Sequence, residues 1–264
     1  MSEYTDIERS VVQYLVSVGT AREEVLVTIH DKLKKGFEEE LGEDHELLKR
    51  PLETSIDLIN DKLHLLGYQI DKIRSQDTRE LYFVYVNTVS DAPSKISTNH
   101  SPKEIDIIKK IIDFIITESE DESYVISSSQ AIRICSTAAL LTASESEHFL
   151  KQLVDEGWLN RSSKGRYSLS IRTLSELKRF LVDQYGVRSN KNPDGQINLC
   201  KGCNEIVTVG LRCFEESCYI KFHKECQLHY FRAKGSNCPN ENCEVDWMNE
   251  EQRPLPVGEK RLRR

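Results

Sequence analysis

Apolar residues in the first hundred positions fall into helical and then strand-like registers, and the same succession returns in the second hundred. Ile7, Val11, Tyr14, Leu15 and Val18 recur at helical spacing, and Gly19 ends the run. A second helix is predicted through Val25, Leu26, Ile29 and Leu33. From Pro51 to Leu66, one face carries Leu52, Ile56, Ile59, Leu63 and Leu66, and Gly67 supplies a left-handed stop. Two β-type runs follow, Tyr68 to Ile73 and Leu81 to Val86, around the polar stretch Arg74 to Glu80. Three helices and a two-stranded hairpin make the winged-helix plan, assigned to residues 1–92.

Pro93, Pro102 and the neighbouring Ser and Thr mark a linker at 93–101. The plan then repeats over 102–188. Ile105, Ile108, Ile112 and Ile115 line a helix, and Gln130 to Cys135 forms a shorter one. Ser144 and Glu147 have capping-box spacing and open a helix through Phe149, Leu150, Leu153 and Val154. After Gly157, Trp158-Leu159-Asn160 and Arg166 to Ser170 read as strands around a tight turn. The parallel between Leu66-Gly67-Tyr68 and Glu156-Gly157-Trp158 is the internal sign of duplication. A closing helix, capped by Thr173 with Glu176 three residues on, runs through Leu174, Leu177, Phe180 and Leu181 to Gly186. The fold class is α+β.

Charge narrows the function. Lys and Arg number 36 against 43 Asp and Glu, a net charge of −7 that argues against a dedicated nucleic-acid binder. The third helices would meet a phosphate backbone, yet one carries Glu53, Asp57 and Asp61 against Lys62. The other carries Glu145, Glu147, Asp155 and Glu156 against Lys151. Both point to protein partners. The basic second wing (Arg161, Lys164, Arg166, Arg172) leaves an auxiliary DNA contact open, and residues 249–264 read as a flexible tail ending in Lys260-Arg261-Leu262-Arg263-Arg264. The mean hydropathy is −0.50, and no apolar run suits a membrane-spanning helix. The N-terminus has neither the basic start nor the apolar core of a secretory signal, so a reducing compartment is expected.

Seven of eight cysteines lie between 200 and 243, while Cys135 stands alone as a small buried residue. With His223 they read C-x2-C-x9-C-x4-C-x4-H-x2-C-x11-C-x4-C. Zinc takes four soft or borderline donors in a tetrahedron, and each close pair supplies half of one. A disulfide framework would leave one of the seven cysteines unpaired and the histidine unexplained. In a cross-braced arrangement, Cys200, Cys203, His223 and Cys226 hold one ion, while Cys213, Cys218, Cys238 and Cys243 hold the other. Lys201, Arg212, Lys221 and Lys224 lie in or beside these pairs and are expected to offset the thiolate charge. Closed four-ligand sites hold structure and do not catalyse, so each ion is expected to stabilise this domain, residues 196–248, by ~10 kcal/mol.

Plant-homeodomain fingers and a variant RING share this ligand order. The former usually carry an aromatic residue two positions before the seventh ligand, where this chain has Ser236; Cys238-Pro239 resembles the RING pattern. Two winged-helix units followed by such a RING resemble the non-SMC element one subunit of the SMC complex that acts in DNA repair. The more specific marks are Asn60 to Tyr68, Phe83-Val84-Tyr85-Val86-Asn87 and the ligand series. The resemblance implies a nuclear protein whose winged helices pack on a MAGE-domain subunit, with a kleisin subunit completing a trimer on the SMC heads. It implies roles in recombinational repair and RING-type ubiquitin ligase activity with a ubiquitin-conjugating enzyme, aided by the MAGE partner. Ile206, Pro239 and Trp247 are then candidates for the groove facing that enzyme. Gly202 in place of an apolar residue, Glu244 in place of a basic linchpin and the four-residue spacing of the last pair depart from active RINGs. Those departures imply activity that is weak without its partner, or an alternative role as a non-enzymatic zinc module that assembles the subcomplex.

Overall fold

The computed structural model describes residues 4–41, 46–89 and 100–259. The chain divides into two compact units, residues 1–91 and 92–264.

The first unit contains α1 (Asp6–Val18), β1 (Thr20–Arg22), α2 (Glu23–Leu41), the single turn α3 (Glu46–Lys49), α4 (Leu52–Leu63), β2 (Tyr68–Arg74) and β3 (Leu81–Asn87). Val11, Leu15, Leu26, Ile56, Ile59, Ile70 and Phe83 form its core. Leu66 does not extend the apolar face of α4. Residues His64–Leu66 tighten into a 3-10 turn, which breaks the 3.6-residue register and leaves Leu66 72% exposed. Val18, at the last position of α1, is likewise exposed. Gly67 adopts φ 74°, and a Cβ there would fall 2.2 Å from Val89 Cγ2. The sheet order is β1-β3-β2, so the strand between the first two helices pairs with the last strand.

The second unit repeats this plan with α5 (Pro102–Asp113), β4 (Ile126–Ser127), α6 (Ser128–Ala139), α7 (Ala143–Asp155), β5 (Leu159–Arg161) and β6 (Arg166–Leu169). Its sheet order, β4-β6-β5, matches that of the first unit strand for strand. Three caps differ in detail from the sequence reading. Thr142, extended at ψ 166°, caps α7 and pairs with Glu145; Ser144 and Glu147 already lie inside the helix. Gln130 belongs to a capping box with Ser127, so α6 starts two residues earlier and runs four residues beyond Cys135. Ser170 caps α8 (Ile171–Glu176), accepting from the Thr173 amide, and a break at Leu177 separates it from α9 (Lys178–Tyr185).

The cysteine-rich segment adds β7 (Gly210–Arg212), β8 (Lys221–Phe222), α10 (Lys224–Lys234) and β9 (Leu255–Val257), with sheet order β8-β7-β9. Gly210 lets two strands approach closely, because a Cβ there would lie 2.3 Å from the Phe222 carbonyl oxygen. Strand β9 corrects the expected tail. Leu255 pairs with Arg212 and Val257 with Gly210, so residues 249–259 are built into the fold. Only 260–264 of that tail, and 93–99 of the expected linker, lie outside the described residues. Nor does the second winged helix end cleanly before the zinc domain. Ile197, Ile206 and Val257 join Ile107, Ile111, Leu174, Leu177 and Leu181 in one core.

Candidate metal centres

The two winding turns of the cysteine-rich segment converge on β7, β8 and the start of α10. They gather Cys200, Cys203, His223 and Cys226 into one set, and Cys213, Cys218, Cys238 and Cys243 into another. Donor atoms within each set all lie within 4.8 Å of one another. This is the interleaved pairing expected of a cross-brace.

The spacing fits zinc. Tetrahedral bonds of about 2.3 Å to sulfur and about 2.0–2.1 Å to nitrogen place neighbouring donors ~3.8 Å apart for two sulfurs and ~3.6 Å apart for sulfur and nitrogen. Cys213 and Cys243 sulfurs are 3.7 Å apart, as are those of Cys218 and Cys238. His223 Nδ1 lies 3.3 Å from Cys203 Sγ and 3.9 Å from Cys226 Sγ. Its other nitrogen, Nε2, is 3.3 Å from the Ile206 carbonyl, which fixes Nδ1 as the nitrogen facing the sulfurs. The two clusters could therefore hold two zinc ions.

Electrostatics point the same way. Cys218 is held as an anion, its pKa pulled to about 2 by hydrogen bonds from Cys213 and then Cys238, while Cys213 is pushed up by its bond to Cys218. A hydrogen bond from Cys203 similarly pulls Cys200 to about 3. Burial opposes the charged His223 ring, but Cys200 and Cys226 draw its pKa up to about 9. Such shared protons mark anion-rich cages that a dication suits, since thiolates are the ligating form.

The groups that bond the sulfurs differ from those expected. The Asn240 side-chain amide donates to Cys218 Sγ at 3.5 Å, and the His223 backbone N–H donates to Cys200 Sγ at 3.4 Å. Lys201 and Lys224 are exposed. Lys221 and Arg212 instead turn to Glu122, at 2.5 and 3.4 Å, on the loop that enters β4. Asn240 carried no signal in the spacing of cysteines, because it works through its side-chain amide between two ligands.

The residues assigned to a conjugating-enzyme groove do not assemble one. Ile206 is 3% exposed and sits in the core shared with the second winged helix. Trp247, also 3% exposed, stacks on Phe231 at 5.0 Å and meets Phe222 edge-on. Pro239 alone is half-buried. Two large apolar side chains close to a small metal domain are drawn into its core rather than left on its rim.

The remaining charges sort by partner. Glu53 on α4 meets Lys72, while Asp57 and Asp61 are exposed, so that helix face is acidic. On the second wing, Arg172 is consumed internally. It lies 4.4 Å over the Trp158 ring, bonds the Glu156 carbonyl at 2.6 Å and pairs with Glu176.

The sequence matches the family described as Nse1 non-SMC component of the SMC5-6 complex over residues 8–177, and a RING-like domain over residues 200–243. The human non-structural maintenance of chromosomes element 1 homolog is 24% identical over 253 residues, spanning 95% of this chain and 87% of the relative. The fission yeast protein from Schizosaccharomyces pombe, non-structural maintenance of chromosomes element 1, is 25% identical over 247 residues, spanning 93% of each. A chain of a solved Nse1-Nse3-Nse4 complex superposes with a TM-score of 0.72 at 21% identity, covering 95% of this chain and all of that one, and so shares its fold. With a family match across both winged helices and two metal clusters in the following RING-like segment, this chain belongs to the Nse1 family of non-SMC components of the SMC5-6 complex.

Proposed function

We propose that this chain is a subunit of a nuclear SMC complex in DNA repair and recombination, binding MAGE-like and kleisin subunits and reaching the SMC heads through them. In this reading the RING-like domain promotes ubiquitin transfer only once a partner has completed its surface. The observation that carries it is the burial of Ile206 and Trp247, which leaves the isolated domain without an apolar platform for a conjugating enzyme. An exposed apolar cluster on the first unit supports partner binding. Leu65 and Leu66 are 84% and 72% exposed, and Val89, whose methyl lies against Gly67, is 78% exposed. Large apolar side chains grouped on a surface mark contact sites.

The test is reconstitution of ubiquitin chains with the chain alone and with the assembled trimer. Activity confined to the trimer and abolished in Cys213→Ala supports the reading. No chain formation above the Cys213→Ala background, in any assembly, leaves the zinc domain as a structural module. The interlocked core around Ile206 and Val257 favours that second reading. Leu65→Glu with Leu66→Glu is expected to weaken copurification of the partners while leaving the zinc content unchanged.

A further inference from the structure

Two basic segments far apart in sequence meet at the second wing. The wing turn, Arg161 to Arg166, is held by Ser162 N–H to the Arg166 carbonyl at 2.8 Å and Gly165 N–H to the Ser162 carbonyl at 2.9 Å. From the other side, the hydroxyl of Ser128 at the start of α6 donates to the Gly165 carbonyl. Onto this rigid turn comes the end of the chain. Beyond β9, Glu259 accepts from Ser162 Oγ at 3.1 Å and lies 3.5 Å from Arg166. Glu259 thus neutralises Arg166. Arg161 and Lys164 are exposed and have no ion pair among the described residues.

Glu259 is followed at once by Lys260, Arg261, Leu262, Arg263 and Arg264. Five residues span at most about 17 Å, so four more cations stay within that distance of the anchored carboxylate. Seen in sequence, the wing and the tail are two short charge runs 90-odd residues apart, each ordinary in an acidic protein. Strand β9 and Glu259 join them into one site of six cations: Arg161, Lys164, Lys260, Arg261, Arg263 and Arg264.

We propose that the second wing and the chain terminus form a composite cradle for the phosphate backbone of double-stranded DNA. The ligand is a polyanion, because cations without carboxylate partners on a fixed turn match regularly spaced phosphates, and the contact carries no base readout. A duplex is favoured over a single strand because binding to unpaired bases relies on exposed aromatic platforms. The aromatic residues of this wing, Trp158 and Tyr167, are buried at 6% and 4% exposure. Acidic α4 and α7 face other partners, so the cradle is an auxiliary contact that helps hold DNA beside the assembly. It does not depend on ubiquitin transfer.

The test is fluorescence anisotropy of the full-length chain with a labelled duplex of about thirty base pairs, titrated across salt. Removing one phosphate-binding cation lowers the slope of log affinity against log salt by about 0.9, so ending the chain at Glu259 is expected to lower it by about 3 to 4. Arg161→Ala with Lys164→Ala is expected to lower it by about 2, and either change to weaken binding about tenfold or more at low salt. The substituted residues are exposed or terminal, so zinc content and circular dichroism serve as folding controls and are expected to be unchanged. Unchanged slopes in both variants overturn the proposal, as does binding to a single strand of equal length, or to anionic vesicles, at least as tight as binding to the duplex.

Discussion

Lys221 Nζ donates to Glu122 Oε1 at 2.5 Å, tying the strand that precedes His223 to the loop that precedes β4. The lysine is 2% exposed, and burial pushes its pKa down to about 8 against the pull of Glu122. Arg212 flanks the same carboxylate, Tyr124 OH lies 3.5 Å from Nζ, and Gly258 N–H donates to the Glu122 backbone carbonyl at 3.0 Å. One acidic residue of the winged helix therefore gathers all three strands of the zinc domain.

Removing that carboxylate leaves two buried cations uncompensated. Glu122→Gln is expected to lower stability by about 3 kcal/mol, because a broken buried pair costs more than the pair contributed. Replacing both partners, Glu122→Gln with Lys221→Met, is expected to recover most of the loss. Urea unfolding of the single and double variants checks this; equal loss in both would show that the cations are not the source.

Metal removal should spread beyond the ligands. Structural zinc contributes ~10 kcal/mol at neutral pH, so a strong chelator is expected to unfold the segment from Cys200 to Cys243. Because Ile206 and Val257 belong to the core of the second winged helix, hydrogen exchange is expected to rise in α5, α8 and α9 as well. The first unit has its own core and is expected to keep its protection. Exchange measured by mass spectrometry with and without chelator separates these regions.

The metal sets and both winged helices were legible because they rest on local rules. Ligand spacing and helical periodicity need only a few neighbouring positions, and Gly67 and Gly157 mark the same turn twice. Strands β1 and β4 were not legible: three and two residues carry no alternation, and their existence depends on pairing with β3 and β6. Strand β9 was hidden for another reason. Pro256 in a charged stretch reads as a loop, yet it sits on an edge strand, where a missing N–H is tolerated. Ile206 and Trp247 misled because a family role was assigned to positions whose burial only the tertiary fold decides.

Ile206 offers a direct measure of how far the two cores act as one. Truncation of a fully buried isoleucine costs about 2–5 kcal/mol. Ile206→Ala is expected to fall in that range and to loosen both neighbours, since its side chain fills the shared core while its carbonyl faces His223 Nε2. A single cooperative transition, shifted to lower denaturant and still coincident for the zinc and winged-helix signals, is the expected result. A loss confined to the zinc domain would mean that the cores unfold separately.

The first unit should respond to acid in two steps, each set by a group in one buried cluster. Glu8, 1% exposed, accepts from Arg50 at 2.7 Å, from Ser55 Oγ at 2.9 Å and from the Thr5 N–H at 2.9 Å; His30 Nε2 lies 3.1 Å from the same Ser55 oxygen. With the Ser55 proton given to Glu8, the Ser55 oxygen accepts from a neutral His30. Burial, and then Lys34, lower the His30 pKa, so the unfolded chain binds a proton that the folded one refuses. Stability is therefore complete above the ordinary histidine value near 6.5 and falls as pH drops below it. Burial pushes the Glu8 carboxyl up, but the bonds from Thr5, Arg50 and Ser55 outweigh it and hold the pKa below its usual 4.5. Its contribution is complete above that value and is lost as pH falls through the depressed one. Hydrogen exchange in α1 and α4 across pH 7 to 3 is expected to show both declines. Glu8→Gln should abolish the lower one and, by stranding Arg50, reduce stability at neutral pH by about 3 kcal/mol. His30→Gln should remove only the upper one.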